Sequence, residues 1–430
     1  MVFEVLLLYE IFFIPSLFFH ANVFCLSNEK SEISGCADGQ VISKIEFLEL
    51  KNTRARVIER ELIHKKGLTF SKELWLKEKG RLESLDLFTE VRLSCKNDPE
   101  GFILEYHLPE IFRIIPSPAG KKTDQDGLML GLALAHLNLG GDDIRAEIKY
   151  RTSISPFFSS NEYAFYASSP WFLNRSIGWN FEFLRTSSWD NLRLFEEKSY
   201  LADMDLQWFF KKPYGFLFSL AYRYLNDYGY TPSASLGFLI DMRHPNLDTR
   251  FGVYQEWLWT YNGGILNSDQ DYQEFLWDSR FYYTLNRFVS GASSLLRYRP
   301  GDVAFYDRLH HGGANTFRGF DPDSLCYGTH EWILNFEERF VLKERTPVSI
   351  GKVSFFYGLQ WVVGVDGAFL WDEGLPTWSD YHSAIYTGLH IVIPALERIR
   401  FEVGYSPDKS EPKFFIGLYE KNIAQRWKSR

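Results

Sequence analysis

Residues 309–320 of this chain read Leu309-His310-His311-Gly312-Gly313-Ala314-Asn315-Thr316-Phe317-Arg318-Gly319-Phe320. A glycine pair and a single glycine frame the arginine at position 318, and phenylalanines lie on both sides of it. Because glycine adopts positive φ and permits close backbone approach, this spacing predicts a loop that folds back with Arg318 at its tip. From composition alone, an arginine at such a tip is most often a solvated charge, so its role depends on the rest of the chain.

The composition favours a membrane β-barrel over a helical membrane protein. Aromatic residues make up 17% of the 430 residues and charged residues 24%, and the mean hydropathy is slightly negative. In a membrane barrel, apolar and polar residues alternate, so the hydropathy averaged over a window stays near zero. The formal net charge of -8 gives no basic surface, and we therefore expect no nucleic acid among the partners.

The N-terminus contains an apolar run, from Val5 to about Ala21, whose length suits the core of a secretory signal peptide. We expect residues 1–25 to be a signal peptide and residues 26–40, which are polar and rich in Ser and Gly, to be a linker. No Lys or Arg precedes the run and no small-x-small cleavage site follows it. The alternatives are a mis-assigned start codon and a short membrane anchor.

The chain has four cysteines, Cys25, Cys36, Cys95 and Cys326. If Cys25 is removed with the signal, three remain, and an odd number cannot form a closed disulfide framework. Their spacing matches no metal site, so we expect no metal ion. Cys36 and Cys95 could pair in an oxidising compartment, and free or buried thiols are an equal alternative.

Residues 41–109 predict a small α+β domain. Apolar alternation, helix caps and a glycine stop give five elements in the order strand, helix, helix, strand, strand, over residues 41–50, 53–65, 71–85, 91–96 and 102–108. Thr53 and Ser71 are the expected helix caps. The alternative to any specific family is an unrelated α+β domain of the same order.

Residues 110–430 predict a transmembrane antiparallel β-barrel. They contain no persuasive helical period, and in residues 144–151 every second residue is apolar while those between are charged. One face of such a strand would meet lipid and the other a wet lumen. At roughly 9–11 residues per strand plus turns, this length accommodates about 14–16 strands, which must close because lipid cannot hydrogen-bond an open edge.

The loop at 309–320 resembles the lumen-directed loop of the BamA/TamA family of outer-membrane assembly barrels, and residues 41–109 resemble the POTRA domain of that family. Five further stretches resemble the family's turns and strands in the same order. They are Asn138-Leu139-Gly140-Gly141, Asp241-Met242-Arg243 with Gly252, Asn335-Phe336-Glu337-Glu338-Arg339, Val365-Asp366-Gly367-Ala368, and Arg400-Phe401-Glu402-Val403-Gly404. In this chain the glycine directly follows Asp366, which leaves the local register open.

The resemblance implies a mainly β fold, with one POTRA-like domain over residues 41–109 and a barrel of about 16 strands over residues 110–430. It places Arg318 inside the lumen, opposite a carboxylate of the barrel wall. Asp366, with its neighbour Gly367, is the first expected partner and Glu337 the second. Phe317 and Phe320 would pack the loop, which turns at Gly312, Gly313 and Gly319, against the wall. A purely stabilising role for Arg318 is the alternative.

By the same resemblance, the protein would insert β-barrel proteins into the bacterial outer membrane or translocate polypeptides, with its POTRA-like domain in the periplasm. The implied partners are unfolded outer-membrane or secreted polypeptides, outer-membrane lipid, and periplasmic or lipoprotein accessory subunits. The first barrel strand, near 127–138, and the last, near 414–419, would meet at a seam. No nucleophile elbow or phosphate loop is present, so we expect neither an enzyme nor a cofactor. The alternatives are a two-partner-secretion transporter and a passive channel.

Overall fold

The computed structural model describes residues 33–418 apart from residues 124–126, 155–159, 174, 191–194, 212, 244–247, 313–316, 321–324, 351–352, 394–396 and 410. The expected signal peptide, residues 1–25, and Gly313 of the glycine pair therefore lie outside the described residues. Within the described part of the chain, no helix has the length and apolar character needed to cross a membrane.

The first unit is a small α+β domain with a four-stranded sheet in the order β1-β3-β4-β2. Its elements are β1 (Ile33–Ser34), β2 (Ile42–Leu48), α1 (Ala55–Glu59), α2 (Lys72–Glu83), β3 (Arg92–Asp98) and β4 (Gly101–His107). From β2 onward the order of elements is the predicted one. Strand β1 lies in the segment expected to be linker and pairs in parallel with Leu93 and Ser94 of β3.

The first helix of this domain is shorter than predicted, and two of its cysteines are paired. Helix α1 covers only Ala55–Glu59, and the backbone N–H groups of Ile63 and His64, which a longer helix would use internally, donate to Glu78 Oε1 of α2. The Thr53 hydroxyl, which was expected to cap the helix, accepts a hydrogen bond from Asn138 Nδ2 at 2.8 Å. Cys36 and Cys95 form a disulfide bond, which settles the pairing that the sequence left open and ties the segment after β1 to β3.

The core of the small domain contains a carboxylate, Glu78, on the buried face of α2. Glu78 Oε2 accepts hydrogen bonds from the Tyr106 hydroxyl at 2.8 Å and from His64 Nδ1 at 2.7 Å. The backbone N–H of Ser71 donates to His64 Nε2 at 3.1 Å, so Nδ1 carries the ring proton. Glu78, His64 and Tyr106 thus all take part in hydrogen bonds, which is the usual condition for keeping polar groups inside an apolar core.

The second unit is a large antiparallel sheet, and the chain as a whole is mainly β with few helices. Its first eleven strands are β5 (Ile114–Thr123), β6 (Gly127–Leu139), β7 (Ile144–Ser153), β8 (Asn161–Ser169), β9 (Ile177–Asp190), β10 (Phe195–Lys211), β11 (Tyr214–Leu225), β12 (Gly229–Asp241), β13 (Gly252–Asn262), β14 (Asp271–Leu285) and β15 (Phe288–Tyr298). Each of them pairs antiparallel with the next.

After β15 the chain makes a long excursion before it rejoins the sheet. The excursion contains β16 (Gly301–Asp302), which pairs with β14, and a separate ribbon of β17 (Leu309–His311) with β18 (Leu325–Gly328). The sheet then continues through β19 (His330–Ile350), β20 (Val353–Trp371), β21 (Tyr381–Ile393), β22 (Glu397–Tyr405) and β23 (Lys413–Leu418). Over the described residues, sixteen strands of the sheet have six residues or more, and the order places β23 next to β5.

The first strand of this sheet is β5, at Ile114–Thr123, so the expectation that the first barrel strand lies near 127–138 was wrong. That segment is the second strand, β6. Strand β5 is hard to predict from the sequence because it contains Pro116 and Pro118. Proline cannot donate a backbone hydrogen bond to a neighbouring strand and usually argues against a strand. Both prolines nevertheless lie in the β5–β6 register, Pro116 opposite Leu134 and Pro118 opposite Leu132.

The strands present two chemically distinct faces, as the alternation predicts. In β7, Ile148 and Tyr150 are exposed while Arg145, Glu147 and Arg151 are buried. Arg151 Nε donates across to Glu162 of β8 at 3.0 Å. In β11 the exposed side chains include Phe216, Phe218, Leu220 and Tyr222, with aromatic residues near both strand ends and leucine between them. Such a face is suited to lipid, with aromatic rings at two interfaces.

The small domain packs on the turn between β6 and β7. Asp142 in that turn accepts hydrogen bonds from Arg54 Nη1 at 2.6 Å and Arg56 Nε at 2.7 Å. Ala135 and Leu137 of β6 belong to the apolar core of the small domain. Because both apolar and charged contacts join them, the small domain and this end of the sheet form one packed body.

Glu110 fixes the chain between β4 and β5 to the segment before α1. Its Oε1 accepts the backbone N–H of Asn52 at 3.0 Å and of Thr53 at 2.6 Å. Burial raises the pKa of the Glu110 carboxyl, but hydrogen bonds from Thr53 and Asn52 outweigh burial and lower the pKa to about 2. The stability that Glu110 supplies is therefore complete above its ordinary pKa of 4.5 and is lost as the pH falls toward about 2.

We predict that Glu110→Gln removes this pH dependence. In the wild-type chain, protection of the residue 51–53 amides from hydrogen exchange, corrected for the intrinsic rate, should fall between pH 4.5 and 2. In the variant it should be flat over that range and lower at pH 6, by about 1 kcal/mol after solvent screening. Equal protection of the two proteins at pH 6 would show that the carboxylate does not hold this junction.

The two faces of the sheet make a second prediction. Leu220→Arg puts a charge on the apolar face and should cost about 2–4 kcal/mol of stability in lipid vesicles. Ser219→Arg is the matched control, because Ser219 is the next residue on the opposite face and donates to Asp203 Oδ1 at 3.0 Å. Urea titration of both variants folded into vesicles measures the difference, and equal losses would contradict the assignment of the faces.

Candidate functional site

The long excursion between β15 and β19 crosses the charged face of the sheet. Near its start, Tyr306 is buried beside Phe195, Leu225 and Tyr228, and Asp307 pairs with Arg223 of β11. Its far part, Phe317 to Phe320, is buried against Ala368 of β20 and Ala384 of β21. The segment thus touches strands early in the sheet and strands late in it, and its tip lies on the face opposite the exposed apolar side chains.

Arg318 at the tip is held by Asp366 through three hydrogen bonds. Nε donates to Oδ2 at 2.9 Å and Nη2 donates to Oδ1 at 2.8 Å. The backbone N–H of Arg318 also donates to Oδ2, at 2.8 Å. The side chain of Asp366 is fully buried and that of Arg318 nearly so. A two-pronged arginine–carboxylate contact fixes orientation as well as distance, so this pair sets both the position and the direction of the tip.

Three further side chains complete the surroundings of the guanidinium. Glu402 Oε1 lies 3.4 Å from Nη1 and Glu337 Oε2 lies 4.0 Å from it. The Arg318 Cζ atom lies 3.5 Å from the centroid of the Tyr386 ring, a cation–π contact. Asn335 Nδ2 donates to Asp366 Oδ1 at 2.8 Å, which fixes the carboxylate that receives the arginine.

Small residues in the loop and in strands β21 and β22 make room for the tip. Gly319 has φ +139, and a side chain there would meet the Ala384 Cβ at 2.8 Å. A side chain at Gly404 would lie 2.8 Å from the Arg318 backbone carbon. Phe317 and Phe320 are buried with ring centroids 4.9 Å apart. The tip is therefore seated by close backbone approach, by aromatic packing and by the ion pair together.

The structure brings together most of the residues expected around the loop. Arg318 meets Asp366, the first expected partner. Glu337, the second, lies at the edge of ion-pair distance and is nearer to Arg339, whose Nε is 3.0 Å from Glu337 Oε1. Gly367 is on the other side of the strand, where the position of its missing Cβ is 3.1 Å from the Tyr381 hydroxyl.

Two members of the site were missed from the sequence. Glu402 lies in a stretch that was recognised as a strand, but nothing in its alternation shows that β22 lies within reach of the loop. Tyr386 lies in β21, which carried no motif. The register near Asp366, which the sequence left open, pairs Asp366 with Asn335 of β19 and Ala384 of β21.

The other expected motif, at the β12–β13 turn, forms a unit of its own. Arg243 Nε and Nη2 donate to Asp241 at 2.9 and 2.7 Å, and the Arg243 Cζ atom lies 4.3 Å from the centroid of the Tyr254 ring. Gly252 has φ +114 and approaches the Met242 carbonyl so closely that a Cβ would lie 2.1 Å from it. These residues shape the turn rather than the surroundings of Arg318.

Comparison with solved structures identifies the fold. The chain superposes with TM-score 0.57 and 15% identity on the crystal structure of BamA from Haemophilus ducreyi lacking POTRA domains 1–3, covering 88% of this chain and 82% of that one. With CdiB from Escherichia coli the values are TM-score 0.60, 14% identity, and 85% and 72% coverage. With CdiB from Acinetobacter baumannii they are 0.56, 13%, and 86% and 70%.

This chain has the BamA and CdiB fold. The resemblance seen in the sequence is thereby confirmed at the level of the fold. No protein-family model matches the sequence, and no curated protein matches it either. Among the described residues, no group of three or more His, Cys, Asp or Glu side chains is arranged to hold a metal ion.

We predict that Asp366→Asn releases the loop tip. Removing the carboxylate leaves the buried Arg318 charge without its bidentate partner, a change that typically costs about 3–5 kcal/mol. Hydrogen exchange of the amides of residues 317–320 should therefore accelerate by at least about 100-fold. Asp380→Asn, which changes a carboxylate in the exposed β20–β21 connection, serves as control, and equal exchange in all three proteins would contradict the assignment.

Proposed function

We propose that this protein inserts β-barrel proteins into a bacterial outer membrane. The observation that carries the proposal is the seating of Arg318 on Asp366, on the charged face of the sheet. A passive pore needs only a wet interior and does not require a loop that is fixed there by three hydrogen bonds. Such a loop is suited to hold several strands of the wall in a defined geometry while other strands separate.

The architecture we propose is a barrel closed by β23 against β5, with the small domain acting as a POTRA domain in the periplasm. The sheet order, which places these strands side by side, and the fold shared with BamA and CdiB support closure. Pro116 and Pro118 lack N–H groups, so the ladder that includes β5 has two fewer donors. A weak seam between β5 and β23 would open sideways and offer an edge to a client strand.

The charged contacts around Arg318 position the loop and are not arranged for covalent chemistry. We therefore expect neither an enzymatic reaction nor a cofactor. The expected partners are unfolded outer-membrane polypeptides or secreted polypeptides, membrane lipid at the apolar face of the sheet, and accessory subunits at the small domain. Translocation of a secreted polypeptide through the same barrel is the second candidate, and it shares the seated loop.

The test is reconstitution of the purified protein in liposomes with an added unfolded barrel client. We expect the protein to raise the amount of protease-protected, folded client above that of empty liposomes. Arg318→Ala should lower the insertion rate by about tenfold or more, since the loop tip loses its charge contacts. Arg318→Lys keeps the charge but loses the two-pronged geometry, so its insertion rate should lie between those of the wild type and Arg318→Ala.

Three outcomes of this experiment separate the functions. Insertion that depends on Arg318 supports assembly. A secreted polypeptide that becomes protected inside the liposomes while the barrel client stays outside supports translocation. Steady ion conductance with no insertion, unchanged in Arg318→Ala, would identify a passive channel and contradict the proposal.

A further inference from the structure

A second segment folds onto the charged face from the end of the sheet that carries the small domain. The connection between β12 and β13 includes Asp248, whose side chain is fully buried. Its backbone adopts the left-handed conformation, with φ +55, which asparagine and aspartate tolerate better than most residues. The polar side chain thus points away from solvent although it belongs to a connection between strands.

Asp248 is surrounded by donors from strands that do not neighbour its own hairpin. Arg398 Nη2 of β22 donates at 2.9 Å, Arg339 Nη1 of β19 at 3.3 Å, and Gln360 Nε2 of β20 at 2.8 Å. Arg250, two residues further along the connection, adds a contact from its Nε at 3.3 Å. Since β13 pairs only with β12 and β14 among the described residues, Asp248 ties this connection to the late strands β19, β20 and β22.

The same late strands hold Arg318, and Glu337 joins the two sites. Glu337 Oε1 lies 3.0 Å from Arg339 Nε and 4.0 Å from Arg398 Nη1. Its other oxygen lies 4.0 Å from Arg318 Nη1 and accepts the Tyr386 hydroxyl at 3.2 Å. Asp248, two arginines, Glu337 and Arg318 therefore form a chain of alternating charges between the two inward segments.

We propose that Asp248 is a positioning residue that holds the Arg318 loop in place through Arg339, Arg398 and Glu337. This role of Asp248 extends the proposed function and rests on it. Through Asp248, a change at the end of the sheet that carries the small domain would reach the Arg318 loop. Without the Asp248 charge, Arg339 and Arg398 would lose a carboxylate that both of them contact, while Glu337 lies near both of them as well. Glu337 would be drawn toward them and away from Arg318.

The experiment is hydrogen exchange of Asp248→Asn in the full chain reconstituted in lipid nanodiscs. We expect the amides of residues 317–320, in which the Arg318 N–H normally donates to Asp366, to exchange about tenfold faster or more than in the wild type. Asp278→Asn is the matched control, because Asp278 is a carboxylate on the same face that pairs with Arg280. Unchanged exchange at 317–320 in Asp248→Asn would overturn the proposal.

A milder variant keeps the test informative if Asp248→Asn fails to fold. Gln360→Met removes the neutral hydrogen bonds to Asp248 but leaves all three arginines, and it should accelerate the same amides about twofold to fivefold. Coupling is reciprocal, so Arg318→Ala should in turn speed exchange at residues 248–252. Effects confined to the mutated site in both variants would show that the two segments are independent.

Hydrogen exchange and client insertion test the coupling and the proposed function separately. If Asp248→Asn loosens the loop while neither it nor the wild type inserts a client, the coupling stands and the proposed function fails. If the wild type inserts a client and Asp248→Asn leaves the loop amides unchanged, the proposed function stands and the coupling fails.

Discussion

The ion pair between Arg318 and Asp366 is the interaction on which the arrangement of the long excursion depends. Phe317 and Phe320 pack against alanines, and Gly319 and Gly404 permit close approach, but none of these contacts specifies the direction of the tip. The two-pronged contact does. A buried pair of this kind contributes little net stability, and its value lies in the single geometry that it permits. The pair lies where the loop contacts strands β19 to β22 of the sheet.

A second constraint is the separation of faces along every strand. Because side chains alternate across a strand, an apolar exposed face leaves the opposite face for charged side chains. Some of those charges are paired, as between Arg151 and Glu162, and others are joined in longer runs, as between Asp248 and Arg318. The same alternation that suits a lipid boundary therefore also supplies the charged face against which the loop packs.

Much of this could be predicted from the sequence, and the failures have physical reasons. Alternation identified the faces, and the loop motif led to Arg318 and Asp366. Strand β5 was missed because Pro116 and Pro118, which cannot donate to a ladder, argue against a strand. The first helix is shorter than predicted because the N–H groups of Ile63 and His64 donate to Glu78 of the second helix, a contact that local pattern does not show. Glu402, Tyr386 and the role of Asp248 depend on which strands meet in space, and local pattern carries no such information.

The most direct test of the central claim is a double-mutant cycle between Arg318 and Asp366, measured as the insertion rate of a barrel client into liposomes. If the pair acts as one unit, Arg318→Ala and Asp366→Ala should each lower the rate, and the double variant should lower it no further than the more severe single variant. Losses that add in the double variant would show that the two residues act separately, and the account built on their contact would be wrong.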